Sequence, residues 1–340
     1  MSLGRSRSIA AAAAALVLTA LLVPRGPGVS AAAPAVLRVG AISPRLASLP
    51  EFMAGDLLSR RGYRVEWQHF QSDGAIIQAM AGRALDFAIA TPVAAAHANE
   101  QGAPVRMITV AWATLDWVLV ARQGIATIND LSGRTVAISS PGSPTDILFR
   151  RLLETRNLTP ERLRVTMARV GATGARAAAL ESGRADAAWL GYDYAYELIK
   201  KGGFHVLENI SVAKAVPGFL IAVWMASQPY IDTHREAVLA AVQAQIEANR
   251  WAHNRIAFID EALRARWPGM EPLPRDVVEW AYDRYIQDDI FPVNGGLTPA
   301  ALNSTFEIAR LTGDLSRIPA PGDVAVFQIQ DAVLAKIGRR

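Results

Sequence analysis

The chain has 340 residues, of which 51% are hydrophobic and none is cysteine, and its formal net charge at pH 7 is +4. The lack of cysteine excludes disulfide bonds, cysteine-ligated zinc and thiol nucleophiles. Three of the arginines lie in the N-terminal segment described next, and the charge of +1 that remains without them gives no reason to expect nonspecific nucleic-acid binding.

The N-terminal segment has the pattern of a secretory signal peptide. Arg5 and Arg7 precede an apolar run at residues 9–23, which is shorter than the roughly 20 residues that a membrane-spanning helix needs. Small residues follow the run, so we predict a signal peptide at residues 1–31 with cleavage between 31 and 35. An uncleaved membrane anchor is the alternative. The remaining chain is longer than one core usually holds, which favours two lobes.

The first part of the remaining chain alternates between strand-like and helix-like patterns. The predicted strands are 37–42, 64–70, 87–90 and 107–111, and the predicted helices between them are 49–61, 76–81 and 93–100. Such a series is typical of a mostly parallel sheet with helices on both of its faces.

The same series begins again near residue 135. The predicted strands are 135–138, 163–167 and 187–190, and the predicted helices are 145–155, 174–180 and 194–200. In both series an Asp opens a buried strand and a Gly follows sixteen positions later, as Asp86 with Gly102 and as Asp186 with Gly202. We predict two similar α/β lobes in which the Gly closes a helix with a left-handed cap. The alternative is that the repeat reflects only sequence patterns that are common to α/β proteins in general.

Several segments carry a resemblance to a known family. They read LRVGAIS, SDGAIIQAMAGRALDFAIA, GIATINDLSGRTVAISSPGSPTDILFRRLLE, AALESGRADAAWL and FPVNGGLTPAALN. Over residues 36–336 the chain resembles the solute-binding proteins of ABC importers in the nitrate/sulfonate/taurine branch. The motifs are moderately specific for the family and carry little information about the ligand.

The resemblance implies a type II-like periplasmic binding protein fold, with two α/β lobes and two hinge strands at 115–122 and 219–226. Lobe one would comprise 36–120 and 222–340, and lobe two would comprise 121–221. It further implies a periplasmic, monomeric protein that delivers a small molecule to an inner-membrane ABC permease. No cofactor, metal or nucleic acid is expected, and no enzymatic activity.

Candidate ligand-binding residues follow the predicted strands, because ligands of open α/β sheets bind at the carboxyl ends of strands. These candidates are Ser43, Pro44, Arg45, Ser72, Asp73, Thr91, Pro92, Trp112, Ser139, Ser140, Gly142, Ser143, Thr145, Thr173, Tyr192 and Asp193.

Each candidate also has a structural interpretation. Arg45 is a bidentate anion clamp or a solvated surface residue. Asp73 is a helix N-cap or the partner of a ligand amine. The hydroxyl-rich turn at 139–145 opens a helix and suits an anion, or it is an ordinary capped loop. Trp112 and Tyr192 stack on a flat ligand or pack in the core.

The functional expectation is a small organic anion, sulfonate-like or carboxylate-like, with a flat or apolar body. A vitamin-precursor heterocycle is the main alternative. Two further alternatives are an exported enzyme that uses acidic residues and a sensor input protein that binds the same ligand. The sequence shows no catalytic motif for the first, and it does not distinguish import from sensing. The five histidines have no metal-ligand spacing, and no GxSxG nucleophile motif occurs.

Overall fold

The computed structural model describes residues 35–42, 45–70, 72–267, 270 and 272–340. The predicted signal peptide and the candidates Ser43 and Pro44 lie outside the described residues. Of the helices in the described part, none combines the length and the apolar character that a membrane span requires.

In the part of the chain that the structure describes, ten strands form two five-stranded sheets. The strands are β1 (Ala35–Ile42), β2 (Tyr63–Phe70), β3 (Phe87–Ala90), β4 (Val105–Trp112), β5 (Trp117–Arg122), β6 (Thr135–Ile138), β7 (Thr166–Arg169), β8 (Ala187–Gly191), β9 (Phe204–Ser211) and β10 (Ala222–Ser227). Sheet one has the order β2-β1-β3-β10-β4, and sheet two has the order β7-β6-β8-β5-β9.

The two sheets have the same topology. In each, four strands run parallel and one runs antiparallel to its neighbours, β10 in sheet one and β5 in sheet two. In each sheet, the antiparallel strand is the first strand that the chain forms after it leaves the other sheet. This confirms the predicted fold class of two mostly parallel α/β lobes connected twice, and lobe one and lobe two hereafter mean the two sheets with their helices.

The position of the first connection differs from the expectation. The predicted division after residue 120 cuts through β5, whose neighbours β8 and β9 both belong to sheet two. We therefore propose that the chain crosses between the lobes at residues 113–116 and again at 212–221. The two crossing segments contact each other, since Ile221 N donates to Ala113 O at 2.7 Å.

Among the described residues, fifteen α-helices surround the sheets. They are α1 (Leu49–Arg60), α2 (Asp73–Ala81), α3 (Pro92–Glu100), α4 (Pro144–Glu154), α5 (Pro160–Leu163), α6 (Thr173–Glu181), α7 (Tyr192–Lys201), α8 (Val212–Ala215), α9 (Gln228–Thr233), α10 (Arg235–Ala252), α11 (Arg255–Arg264), α12 (Arg275–Gln287), α13 (Pro299–Thr312), α14 (Pro321–Val324) and α15 (Phe327–Ile337). Helix α10 packs on α1 and β4 of lobe one, whereas α12 packs on α7 of lobe two.

One predicted strand is partly wrong. Residues 163–167 were expected to be extended, but Leu163 ends α5 and β7 begins at Thr166. The cause is local, because Thr159 caps α5 by accepting a hydrogen bond from Arg162 N at 3.1 Å, and Pro160 fits the first helical position.

The repeated Asp has the same structural role in both lobes. Asp86 N donates to Arg38 O at 2.9 Å, and the Asp86 carboxylate accepts from Arg38 N at 2.8 Å. In lobe two, Asp186 N donates to Thr135 O at 2.8 Å and its carboxylate accepts from Thr135 N at 2.9 Å. The Asp thus joins the start of a buried strand to the neighbouring strand. The repeated Gly has positive φ in both lobes, 81° at residue 102 and 85° at residue 202, but Gly202, the C-cap of α7, has ψ of 161° and so lies outside the predicted left-handed helical conformation.

Candidate functional site

A pocket of about 240 Å³ lies at the carboxyl edge of sheet one. We call it the lobe-one pocket. Its apolar wall comprises Ile42, Ile89, Ala90, Trp112, Leu115, Ile221 and Ala222, and its polar groups belong to Arg45, Ser48, Glu51, Asp73 and Thr91. These residues come from the ends of β1, β3 and β4, the start of β10, the helices that follow the strands and the first crossing segment. The pocket therefore has the position that ligands take in open α/β sheets.

Arg45 lies at this pocket in an ion pair. Its Nη2 is 2.5 Å from Asp116 Oδ1, and its guanidinium lies 5.3 Å from the centroid of the Trp112 ring. The Arg45 side chain is 41% accessible, whereas that of Asp116 is 7% accessible. Burial raises the pKa of Asp116, and the nearby guanidinium opposes that increase. The charge of Arg45 is thus already compensated by the first crossing segment.

Glu51 is a pocket residue that the sequence analysis did not single out. It is only 3% exposed, and its Oε1 accepts a hydrogen bond from Trp112 Nε1 at 2.7 Å. Burial raises the pKa of Glu51 to about 8, although Trp112 and Arg45 both act to lower it. The only hint in the sequence is an acidic residue in the first turn of a largely apolar helix. Trp112, one of the predicted aromatic residues, holds this carboxyl while its ring forms part of the wall.

Asp73 and Thr91 connect the two helices beside the pocket. Asp73 Oδ2 accepts from Thr91 Oγ1 at 2.5 Å and from Thr91 N at 3.2 Å. The interpretation of Asp73 as an N-cap is corrected, because Ser72 is the N-cap of α2 and Asp73 is the first helical residue. Thr91 caps α3, in which Pro92 is the first residue. Ser72 and Pro92 are therefore explained by helix ends, while Asp73 and Thr91 line the pocket.

The hydroxyl-rich turn of lobe two supplies acceptors to its own N–H groups. Three backbone donors, those of Ser139, Ser140 and Gly142, bond to side chains in the same turn, namely Thr145 at 2.7 Å, Ser143 at 3.3 Å and Asp146 at 2.7 Å. The Asp146 carboxylate thus already lies at the helix N-terminus where an anion was expected. That expectation depended on free backbone donors, and these three N–H groups already have acceptors within the turn.

Arg176 lies beneath this turn and was also missed by the sequence analysis. It is 1% exposed and donates hydrogen bonds to four neutral oxygens, which are Trp189 O at 3.0 Å, Ser139 Oγ at 2.8 Å, Gly171 O at 2.6 Å and Thr173 Oγ1 at 3.1 Å. Burial lowers its pKa, and no carboxylate of the described residues forms an ion pair with it. The guanidinium also lies 5.6 Å from the centroid of the Trp117 ring. Lobe two therefore holds a buried positive charge surrounded by neutral acceptors.

The remaining two candidates open α7. Tyr192 is 1% exposed, and its hydroxyl donates at 2.6 Å to Oδ2 of Asp288, the residue that follows α12. The ring packs against Tyr285 at a centroid distance of 5.4 Å, so Tyr192 belongs to the contact between lobe two and α12. Asp193 is exposed and interacts electrostatically with Arg45 of lobe one. Of these two, Asp193 is the residue that acts on a group of the lobe-one pocket.

Comparison with solved structures identifies the fold. A periplasmic sulfonate-binding protein from Methylobacillus flagellatus is 19% identical over 90% of this chain and 95% of its own, with a TM-score of 0.72. The alkanesulfonate-binding protein of Xanthomonas axonopodis pv. citri bound to MOPS is 19% identical, with 87% and 100% coverage and a TM-score of 0.59. The periplasmic nitrate-binding protein of Synechocystis is 12% identical over 89% of each chain, with a TM-score of 0.60.

Comparison of the sequence with curated proteins gives no significant match. A family model, in contrast, matches residues 31–265, which include both sheets, the lobe-one pocket and Arg176. The fold is that of periplasmic binding proteins, as the resemblance implied, and the chain belongs to the NMT1-like family.

Proposed function

We propose that this protein is the extracytoplasmic solute-binding component of an ABC importer. In this proposal it captures a small organic anion, sulfonate-like or carboxylate-like with a flat or apolar body, between its two lobes and delivers it to a membrane permease. The family and the sulfonate-binding and nitrate-binding structural neighbours support the class of protein. Their low identity leaves the choice of ligand to the residues at the site.

The observation that carries the proposal is the lobe-one pocket. About 240 Å³ bounded by Ile89, Leu115, Ile221 and the Trp112 ring is enough for a small apolar or flat group. Arg45 lies at the same pocket, so a ligand whose body occupies the apolar part can place a charged end beside a guanidinium. Since Arg45 already pairs with Asp116, an anion at this point competes with, or shares, an existing ion pair.

Arg176 supports an anion from the opposite lobe. A buried guanidinium without a carboxylate is costly unless other groups compensate its charge. Arg176 donates to the hydroxyl oxygens of Ser139 and Thr173, which leaves their own protons available to donate elsewhere. An anion that accepts from these two hydroxyls would gain charge-assisted hydrogen bonds and partly neutralise Arg176. Both hydroxyl residues were among the predicted ligand contacts.

Native mass spectrometry and calorimetry test this proposal. The protein as purified is weighed for retained small molecules, and sulfonates, carboxylates, amines and neutral heterocycles are then compared by titration. Anions are expected to bind, with aromatic sulfonates among the tightest. Binding of amines or neutral heterocycles alone would overturn the anion assignment.

The heterocycle alternative also has support from particular residues. Asp73 lines the lobe-one pocket, and Asp193 lies close enough to Arg45 to interact with it electrostatically, so both carboxylates suit an amino group on a flat ring. If only such ligands bind, substitution of Asp73 by Asn should weaken them, whereas Arg176→Met should not. N-terminal sequencing of exported protein tests the predicted start of the mature chain between residues 32 and 36, and genetic linkage to a permease distinguishes import from sensing.

A further inference from the structure

Glu51 is a buried acidic group in direct contact with the lobe-one pocket. It lies in the first turn of α1 and is 3% exposed, yet it lines the pocket together with Ser48 and Trp112. Among the described residues, its single hydrogen-bond partner is the indole N–H of Trp112, which is a neutral donor. Such a carboxyl resembles an acid buried against an aromatic ring, an environment that favours the protonated form.

The charges around Glu51 do not favour a carboxylate. Arg45 is the only basic side chain among the described residues of the pocket wall, and its nearest acidic partner is Asp116 at 2.5 Å. Asp73 contributes a second acidic group to the same wall, and the negative charge of Asp193 in lobe two also acts on Arg45. An ionised Glu51 would add a further negative charge to a set that already contains more acids than bases.

We propose that Glu51 is a ligand-contacting residue that remains a neutral carboxylic acid and donates a hydrogen bond to an acceptor oxygen of the bound anion. The inference rests on the proposed function, because it takes the ligand to be an anion in the lobe-one pocket. Trp112 donates to Oε1, so the proton is carried by Oε2. A pKa of about 8, raised by burial, keeps this proton in place at neutral pH.

This arrangement would give the pocket selectivity for anions without a second buried cation. A sulfonate or carboxylate has only acceptor oxygens, and a protonated acid offers them a donor. An ionised Glu51 would repel the same ligand. Anion affinity should therefore fall as pH rises through the range in which Glu51 loses its proton.

The ligand-free part of the test uses the Trp112 indole. In a ¹H–¹⁵N spectrum of the full mature protein, assigned through Trp112→Phe, the indole signal should titrate with a midpoint near pH 8. Glu51→Gln should abolish this titration, because the amide cannot ionise but preserves an acceptor for the indole. A midpoint near pH 4–5, the ordinary range for glutamate, would overturn the protonated state.

The binding part uses benzenesulfonate, butanesulfonate and benzoate, which stay anionic throughout pH 6.5–9.5. Wild-type affinity for the best of them should fall by about tenfold across this range. Glu51→Gln should stay within about threefold of wild type at pH 6.5 and show no such fall, whereas Glu51→Ala should be about tenfold weaker than wild type at pH 6.5 and should also show no fall with pH.

Glu261→Gln is the matched control. Glu261 is also a buried glutamate, at 5% exposure, but it pairs with Arg264 and Arg266 and lies outside the pocket. Its variant should retain the wild-type fall in affinity. If an anion binds but Glu51→Gln loses affinity as Glu51→Ala does, or wild-type affinity is constant with pH, the inference is wrong and the proposed function stands. If none of the three anions binds at any pH, the proposed function fails and the ligand contact of Glu51 fails with it.

Discussion

The two sheets have the same topology, but the side chains at their carboxyl edges differ in polarity and charge. In lobe one the edge forms an apolar pocket whose single described cation, Arg45, is paired with Asp116. In lobe two the edge is a polar turn over Arg176, a buried cation that contacts only neutral oxygens. The repeat thus preserved the backbone while the side chains at the two edges diverged.

This difference suggests a division of roles in binding. Lobe one provides apolar surface and Glu51, a carboxyl group whose burial favours the protonated form. Lobe two provides Arg176, whose positive charge is not paired with a carboxylate of the described residues. A ligand with an apolar body and an anionic end would satisfy both edges at once. The two edges can be separated experimentally, because their key groups belong to different sheets and make no contact with one another in the hydrogen-bond pattern of the described residues.

The largest effect is expected from removing the buried cation of lobe two. Arg176→Met would leave two carbonyls and two hydroxyls without their donor, so the free energy of unfolding should fall by about 4 kcal/mol. Chemical denaturation measures it. Arg122→Met is the matched control, since Arg122 is a partly buried arginine of the same lobe that donates to one carbonyl, Leu180 O, and should cost about 1 kcal/mol. Equal losses in the two variants would show that the four hydrogen bonds of Arg176 stabilise the protein no more than the single hydrogen bond of Arg122.

The buried acid of lobe one should make stability depend on pH. The folded-state pKa of Glu51 is raised to about 8, so between about pH 5 and 8 the folded state holds a proton that the unfolded state has lost. The free energy of unfolding should therefore decrease as pH rises through this window, by up to about 1.4 kcal/mol per unit and about 4 kcal/mol across the window. Above pH 8 the dependence on Glu51 should level off.

Glu51→Gln isolates this contribution. The variant should lose most of the slope between pH 5 and 8, and the slope that remains would come from other buried carboxyls, such as Asp116, whose pKa is also raised by burial. Denaturant titrations at four or five pH values would measure both curves. Parallel curves for wild type and variant would mean that Glu51 is ionised in the folded protein.

The repeated aspartates allow a direct comparison of the lobes. Asp86 accepts from Arg38 N, Nε and Nη2, at 2.8, 3.1 and 2.8 Å, whereas Asp186 accepts from Thr135 N and has Arg134 at 3.9 Å. Asp86→Ala should therefore lower the free energy of unfolding by about 2.5 kcal/mol, and Asp186→Ala by about 1 kcal/mol. Thermal and denaturant unfolding of the two variants checks the order. A larger loss for Asp186→Ala would contradict this reading of the repeat.

Much of the fold followed from such local patterns. The positions of Asp86 and Asp186 predicted the start of a buried strand in each lobe, because a carboxylate there bonds to backbone N–H of the next strand. Gly102 and Gly202 were predicted from the left-handed conformation that only glycine adopts without strain. The strand β9 was not predicted, and the membership of β5 in sheet two did not follow from the sequence, because strand partners are set by tertiary pairing that the local pattern does not contain.

The site was harder to predict because its key contacts join distant parts of the chain. Trp112 and Arg45 were proposed from their positions after strands, and both lie at the pocket. Glu51 and Arg176 were not proposed, because the sequence alone does not distinguish either of them from the exposed charged residues that most helices carry. Their importance comes from burial against partners such as Trp112, 61 positions away from Glu51, and Ser139, 37 positions away from Arg176.

The smallest effect concerns a helix end at which the two lobes differ by one hydroxyl. Ser72 caps α2 and accepts a hydrogen bond from Ala75 N at 3.3 Å, whereas the equivalent cap of α6 is Ala172, which has no side-chain acceptor. Ala172 has φ of −61° and ψ of 161°, an extended conformation in which serine can cap. Ala172→Ser should therefore raise the free energy of unfolding by about 0.5–1 kcal/mol, while Ser72→Ala should lower it by a similar amount. If Ala172→Ser leaves stability unchanged, while Ser72→Ala lowers it, the two caps are not equivalent and the correspondence between the lobes ends before this turn.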